Sequence, residues 1–150
     1  MLNFQKQFLK GVRAVEKISL GNNFKEAVLC GMGGSSLAGY IIEMIHPEAP
    51  VRIHPSYDLP EKSAKDSLII CTSWSGNTEE TISGYNTAKK NNFTVVTITK
   101  GGKLADLCRK DNTPLVLLSD EKISPRNAVG YMYGALATVL ENAGIINNEI

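Results

Sequence analysis

A chain of 150 residues with 43% hydrophobic and 21% charged side chains has the make-up of an ordinary globular domain. At this length folding buries about 70% of the unfolded chain's surface. Its net charge of +1 offers no field for nucleic acid or an anionic membrane, and no apolar run approaches the roughly 20 residues of a membrane span. The first residues lack a signal-peptide layout, and three cysteines without a CxxC or Cys/His cluster favour neither disulfide nor zinc, so a reducing cytoplasm is expected.

Phe4, Phe8, Val12 and Val15 recur at helical spacing and predict a helix from Leu2 to Ile18, an arm packed on the rest. Ala27 to Cys30 is a short continuous apolar run, the mark of a strand covered on both faces. Leu37, Ala38, Ile41, Ile42 and Ile45 give a helical stripe that Pro47 ends. Val51–Ile53 reads as a second strand and Ser67–Thr72 as a third. A polar helix from about Thr78 to Lys90, a strand Phe93–Ile98, a helix Leu104–Lys110 and a strand Pro114–Leu118 follow. The last helix runs from near Asn127 to about Asn142, with Gly144 as its stop.

This rhythm predicts a three-layer α/β/α domain with a five-stranded, mainly parallel sheet and strand one central. Residues 1–150 read as one domain, with 1–20 a helical arm and 24–146 the α/β core. Ligands of such sheets sit beyond the carboxyl ends of the strands. Two small, hydroxyl-rich loops lie at such ends: Gly31-Met32-Gly33-Gly34-Ser35-Ser36, and Ser73-Trp74-Ser75-Gly76-Asn77-Thr78.

In the second loop Ser73 and Ser75 flank Trp74, so in extended backbone their hydroxyls share a side. Gly76 permits a sharp turn with positive φ, and Thr78 falls in the first helical turn. Three hydroxyls beside free amides at the positive end of a helix bind a phosphate without lysine. Asn77 with Glu80 also fits a capping box, so a plain helix cap explains part of the same pattern. In the first loop, glycines admit a ligand close to the backbone and Ser35 can donate to its oxygen. A dinucleotide fingerprint would need glycine where Ser36 stands, and no Walker Gly-Lys-Ser/Thr occurs. The pattern thus points to one phosphate on a small molecule.

Gly33-Gly34-Ser35 followed by Ser73-x-Ser75-Gly76-Asn77-Thr78-x-Glu80-Thr81 resembles the sugar isomerase (SIS) domains, whose fold is flavodoxin-like. Tyr57-Asp58-Leu59-Pro60, Ser124-Pro125-Arg126 and Gly130-Tyr131 make the chain similar, more narrowly, to the N-terminal half of the archaeal-type bifunctional phosphoglucose/phosphomannose isomerases. The resemblance covers nearly the whole chain. It implies that Ser35, Ser73, Ser75 and Thr78 hold a sugar phosphate, with backbone contacts at Gly33, Gly34, Gly76 and Asn77. It implies that Arg126 lies near the C1–C2 end as a catalytic cation for an enediolate oxygen. A fixed cation is unfavourable beside a helix N-terminus, which also argues for a ligand or acidic partner at Arg126. The implied reaction interconverts glucose 6-phosphate or mannose 6-phosphate with fructose 6-phosphate, with no metal and no cofactor. Trp74 departs from the tyrosine more usual at its position.

Such isomerisation needs a base between C1 and C2 and an acid/base group for ring opening. In the family a glutamate, a histidine and a lysine from the second SIS half and a neighbouring subunit supply them. The candidates in this chain are poor: Glu79 and Glu80 suit a helix start, Glu43 lies on a helix away from the loops, and His46 and His54 each precede a proline. Asp120, Glu121 and Lys122 fall in a loop beyond strand five, within approach of a ligand. The expected role is therefore the phosphosugar-binding part of an isomerase whose base comes from a second half or partner chain. The alternative is a non-catalytic phosphosugar-binding or regulatory module. From Asn127 to Gly144 the only charged residue is Glu141, so the last helix is apolar nearly all round and must be buried. The expected cover is another subunit in a two-fold dimer or a second SIS half, with the N-terminal helix as the competing cover.

Overall fold

The computed structural model describes residues 3–147, so the predicted start of the first helix at Leu2 lies outside the described residues. The chain runs α1 (Phe4–Ala14), β1 (Glu26–Gly31), α2 (Leu37–Ile45), β2 (Val51–His54), β3 (Ser67–Ser73), α3 (Glu79–Lys90), β4 (Thr94–Thr99), α4 (Gly102–Asp111), β5 (Leu115–Leu117) and α5 (Val129–Asn142). Single 3-10 turns at Gly33–Ser35 and Pro125–Ala128 precede α2 and α5. The five strands form one sheet in the order β2-β1-β3-β4-β5, and every pairing is parallel. The winding reverses once, between β1 and β3, so these two neighbours flank the crevice where ligands of open α/β sheets bind. Strand one is not central, as the rhythm had suggested. Three strands follow on the far side of β1 and one on the near side, which puts β3 in the middle with all seven residues buried.

Alternation along the strands sorts the core into two layers. Ala27, Leu29, Leu68, Ile70, Val96 and Ile98 meet α2 and α5 on one face. Val28, Cys30, Ile69, Cys71 and Val95 meet Tyr85 of α3 and Leu104 and Cys108 of α4 on the other. All three cysteines are free and buried, and Cys30 and Cys71 are register neighbours.

The outer side of α5 has a cover from within the chain, which corrects the expectation of an outside one. Helix α1, capped by Asn3 accepting from Lys6 N–H at 3.0 Å, packs along it. The backbones meet at glycines: a Cβ at Gly130 would lie 2.7 Å from Gln7 Cβ, and one at Gly134 would run into the Phe8 backbone. Buried Gln7 fastens the seam, donating to the Asn127 carbonyl at 3.0 Å and accepting from Gly130 N–H at 3.2 Å. The rings of Phe8 and Tyr133 pack beside it, 5.7 Å apart. With α1 in place, Tyr131, Met132, Ala135, Leu136, Val139 and Leu140 are all buried.

Candidate functional site

The pairing of β1 with β3 brings both hydroxyl loops to one end of the sheet, because Gly31 and Thr72 are register partners at the last rungs. Gly31 is glycine because a side chain there would strike the Thr72 hydroxyl. That hydroxyl donates to the Ser35 carbonyl at 3.2 Å, and Ser35 Oγ in turn accepts from Trp74 N–H at 2.9 Å. Ser35 is thus buried and ties the two loops to each other. Ser36 donates to the Gly33 carbonyl at 2.8 Å and closes the turn.

In the second loop Ser73 Oγ is the hub. It accepts from Gly76 N–H at 3.0 Å, shares a 2.8 Å bond with Thr78 Oγ1, and stands 3.5 Å from Ser75 Oγ. Ser75 Oγ accepts from Asn77 N–H at 3.2 Å, which leaves its own proton free to donate. One of the Ser73 and Thr78 protons lies between those two oxygens, and the other is free. Thr78 is the N-cap of α3 but gives no side-chain cap, so the first-turn amides of α3 are left open at the positive end of the helix. Three clustered hydroxyls with two uncommitted protons, over uncapped amides, can take the oxygens of one anion.

The loop is braced from behind by the turn after β4. Gly76 has φ +73° and lies against the Gly101 carbonyl, where no side chain fits. Lys100 N–H donates to the Trp74 carbonyl at 3.3 Å and Leu104 N–H to the Gly76 carbonyl at 2.9 Å. Asn77 does not form the expected capping box with Glu80. Its Oδ1 accepts from Lys103 N–H at 3.1 Å, so it caps α4 instead, because the β3 loop and the start of α4 share one end of the sheet.

The other sequence candidates divide. Gly33 has φ +53° and open space where a side chain would be, so its backbone is approachable. Gly34 is not open: a Cβ there would lie 2.8 Å from Arg126 N and Pro125 C. Its glycine lets the Pro125–Ala128 turn dock on the first loop, and that docking brings Arg126 to the site. The Arg126 side chain is exposed and has no ion pair among the described residues. Glu121 is occupied, accepting from Lys10 Nζ at 2.8 Å and from the Tyr131 hydroxyl. These donors hold its carboxyl below the ordinary value, Lys10 first and Tyr131 second. His54 Nε2 donates to the Tyr57 carbonyl at 2.9 Å, and His46 faces Glu48 at 3.7 Å.

Lys100 escaped the sequence reading, and so did the structural role of Asp58. Lys100 leaves the end of β4 and sets its Nζ 5.5 Å over the Trp74 ring, which adds a cation beside the second loop. Its signal was a lysine between an apolar strand and Gly101-Gly102. Asp58, at φ +59°, accepts from Ser83 Oγ and Thr87 Oγ1 at 3.0 Å each, and so pins the β2–β3 connection to α3. Trp74 itself is buried, donates from Nε1 to the Ile123 carbonyl at 3.0 Å, and packs on Tyr131 with ring centroids 5.7 Å apart.

No protein-family model matches the chain. Among characterised proteins it is 31% identical over 150 residues to the bifunctional phosphoglucose/phosphomannose isomerase of Caldicellulosiruptor bescii, covering 96% of this chain and 44% of that protein. It is 36% identical over 109 residues to the protein of the same description from Thermoplasma volcanium, covering 73% of this chain and 34% of the relative. Solved structures agree on the fold. A Thermus thermophilus protein superposes with a TM-score of 0.63 at 20% identity over 94% of this chain and 37% of its own. The Vibrio vulnificus NanR protein complexed with ManNAc-6P superposes at 0.56 and 18% identity, covering 92% of this chain and 52% of its own. The chain has the fold of sugar isomerase (SIS) domains. It is related to the bifunctional phosphoglucose/phosphomannose isomerases, and it spans less than half the length of the two relatives named. In the SIS domain the two hydroxyl loops and the Arg126 turn converge at the β1/β3 switch point. No group of His, Cys, Asp or Glu suited to a metal ion occurs among its described residues.

Proposed function

We propose that this SIS domain binds the phosphate of a six-carbon sugar phosphate and forms one wall of an aldose–ketose isomerase site. The observation that carries the reading is the hydroxyl cluster of Ser73, Ser75 and Thr78 over the uncapped start of α3. Ser75 and Thr78 donate to the phosphate, Ser73 orders them, and Ser35 holds the loops at their spacing. The backbone at Gly33 faces the ligand, the amides of Gly76 and Asn77 order the Ser73 and Ser75 hydroxyls that meet it, and Gly34 acts by admitting the Arg126 turn. The exposed Arg126 guanidinium, without an acidic partner among the described residues, stabilises the enediolate oxygen formed as a proton moves between C2 and C1. Glucose 6-phosphate, mannose 6-phosphate and fructose 6-phosphate are the substrates this reading names, and the names of the relatives support them. No metal or cofactor takes part. Residues 1–150 act as one domain in the cytoplasm, a reducing compartment that suits three free thiols.

The base is the part this chain's own residues do not supply. Glu121 is held by Lys10 and Tyr131, and both histidines face other groups. In this reading it comes from a second SIS half or a partner chain. The same observation favours the second reading, a phosphosugar-binding module without turnover. One measurement tests both readings and a second separates them. Titration should show glucose 6-phosphate, mannose 6-phosphate or fructose 6-phosphate binding far more tightly than the unphosphorylated sugars. Equal affinity for glucose and its phosphate would refute the cradle. A coupled isomerase assay should find little turnover by this chain alone. Activity that emerges when a second SIS half is added supports the isomerase reading, and binding that never converts to turnover supports the module.

A further inference from the structure

The Arg126 side chain is exposed and makes no hydrogen bond or ion pair among the described residues, so the Pro125–Ala128 turn sets where it stands. On its carboxyl side that turn runs straight into α5. On its amino side lies a segment with little backbone structure of its own. β5 ends at Leu117, and Leu118 N–H donates to the Thr99 carbonyl at 2.9 Å. Between Ser119 and Ile123 the backbone bond among the described residues runs from Ile123 N–H to the Glu121 carbonyl at 2.9 Å. Side chains fasten the segment instead, at two points. Trp74 Nε1–H donates to the Ile123 carbonyl at 3.0 Å, and the Glu121 carboxylate accepts from Lys10 Nζ at 2.8 Å and from the Tyr131 hydroxyl.

Trp74 joins more parts of the site than any of its neighbours. It sits between Ser73 and Ser75 of the hydroxyl cluster. Its backbone N–H donates to Ser35 Oγ at 2.9 Å, beside the Gly34 on which the Arg126 turn docks. Its ring N–H holds Ile123, just upstream of that turn. The two N–H groups of one residue thus grip both pieces that bracket Arg126. The ring is buried between Tyr131, with centroids 5.7 Å apart, and Lys100 Nζ, 5.5 Å from its centroid. A buried indole N–H without an acceptor is costly, so ring and segment keep each other in place. We propose that Trp74 is a positioning residue for Arg126: it ties the Ser119–Ile123 segment to the phosphate loop and so fixes the guanidinium at a set distance from the bound phosphate. Glu121, with Lys10 and Tyr131, is the second fastening of the same segment. The proposal rests on the reading of Arg126 as the cation for the enediolate oxygen. Such a cation helps most when it is already held where the charge develops, and a loose arginine loses rotamer freedom on binding.

Calorimetry of the full chain with two probes tests it. Arabinitol 5-phosphate is neutral at C1 and reports the phosphate cradle. Arabinonate 5-phosphate has a carboxylate at C1 and reports Arg126 as well. Arg126→Ala should weaken arabinonate 5-phosphate by roughly tenfold or more, the range for a hydrogen bond to a charged group, and should spare arabinitol 5-phosphate. Trp74→Phe keeps an aromatic ring against Tyr131 and removes the N–H. It should give the same selective loss, and in the Arg126→Ala background it should cost nothing further. Glu121→Ala, at a half-exposed position, carries the same test without touching the core, and Glu121→Gln, which keeps an acceptor, should recover most of the affinity. A parent that binds neither probe overturns the phosphate reading, and this proposal with it. A parent that binds both overturns this proposal alone in any of three cases: Trp74→Phe and Glu121→Ala bind as the parent does, their losses add to that of Arg126→Ala, or the losses fall equally on the two probes.

Discussion

Ser73, Ser75 and Thr78 share one cluster but not one job. Ser75 accepts only from a local amide, and Thr78 closes no cap, so neither holds the loop alone. Replacing either by alanine should cost about 1.5–3 kcal/mol of phosphosugar affinity, the range for a hydrogen bond to a charged group, with little change in urea unfolding. Ser73→Ala should cost both affinity and stability, since it also frees Gly76 N–H. Calorimetry paired with denaturation separates the two patterns. Glu121 is a residue of another kind. Lys10 and then Tyr131 hold its carboxyl below its ordinary 4.5, while Glu121 and then Tyr131 hold Lys10 above its ordinary 10.5. The Glu121 contribution is present above the unfolded value and lost as pH falls through the lower folded one. The Lys10 contribution is present below its unfolded value and lost as pH rises through the higher folded one. The stability gap between parent and Glu121→Gln should thus be small and flat across neutral pH and close in acid and in strong alkali. Urea unfolding at a series of pH values checks it, and a gap that widens in acid would contradict the pairing. The hydroxyls were readable because spacing across Trp74 and the turn at Gly76 are local facts. Lys100 was not, because its place over Trp74 depends on β4 lying beside β3.

Asn77 shows how an element can draw its cap from another. Asn77 and Glu80 have the spacing of a box, yet the amide oxygen goes to Lys103 of α4. Asn77→Ala should therefore destabilise the protein by about 1 kcal/mol, the usual cost of a lost cap. Amide exchange should quicken at Lys103 and not in the first turn of α3. Quickening in α3 alone would restore the box. The strands and helices themselves were legible to within a few residues, since β1 and β3 are continuous apolar runs bounded by small loops. The order of the strands was only partly so. The switch point followed from the loops, but the central place of β3 follows from how many units wind each way, which no single segment records. Helix α5 read correctly as buried, and its cover was misjudged because the glycines that admit α1 look unremarkable in sequence.

At the scale of the molecule, the seam between α1 and α5 joins the two ends of the described chain. Gly134→Ala would drive a methyl group into the Phe8 backbone and should cost about 1–3 kcal/mol, the range for overpacking. The same change at Gly21, whose nearest neighbour would be 3.9 Å away, should be far milder, and paired melting curves compare them. The seam also sets a timetable. During synthesis α1 leaves the ribosome before α5, so Gln7 and Gly11 wait for a partner that is made more than a hundred residues later. At synthesis rates of about 5–20 residues per second, that wait lasts several seconds. The sheet can assemble meanwhile, but its α5 face stays uncovered until the last helix arrives, and α1 can dock only then. Until α5 is made, the residues of that face are without the helix that covers them.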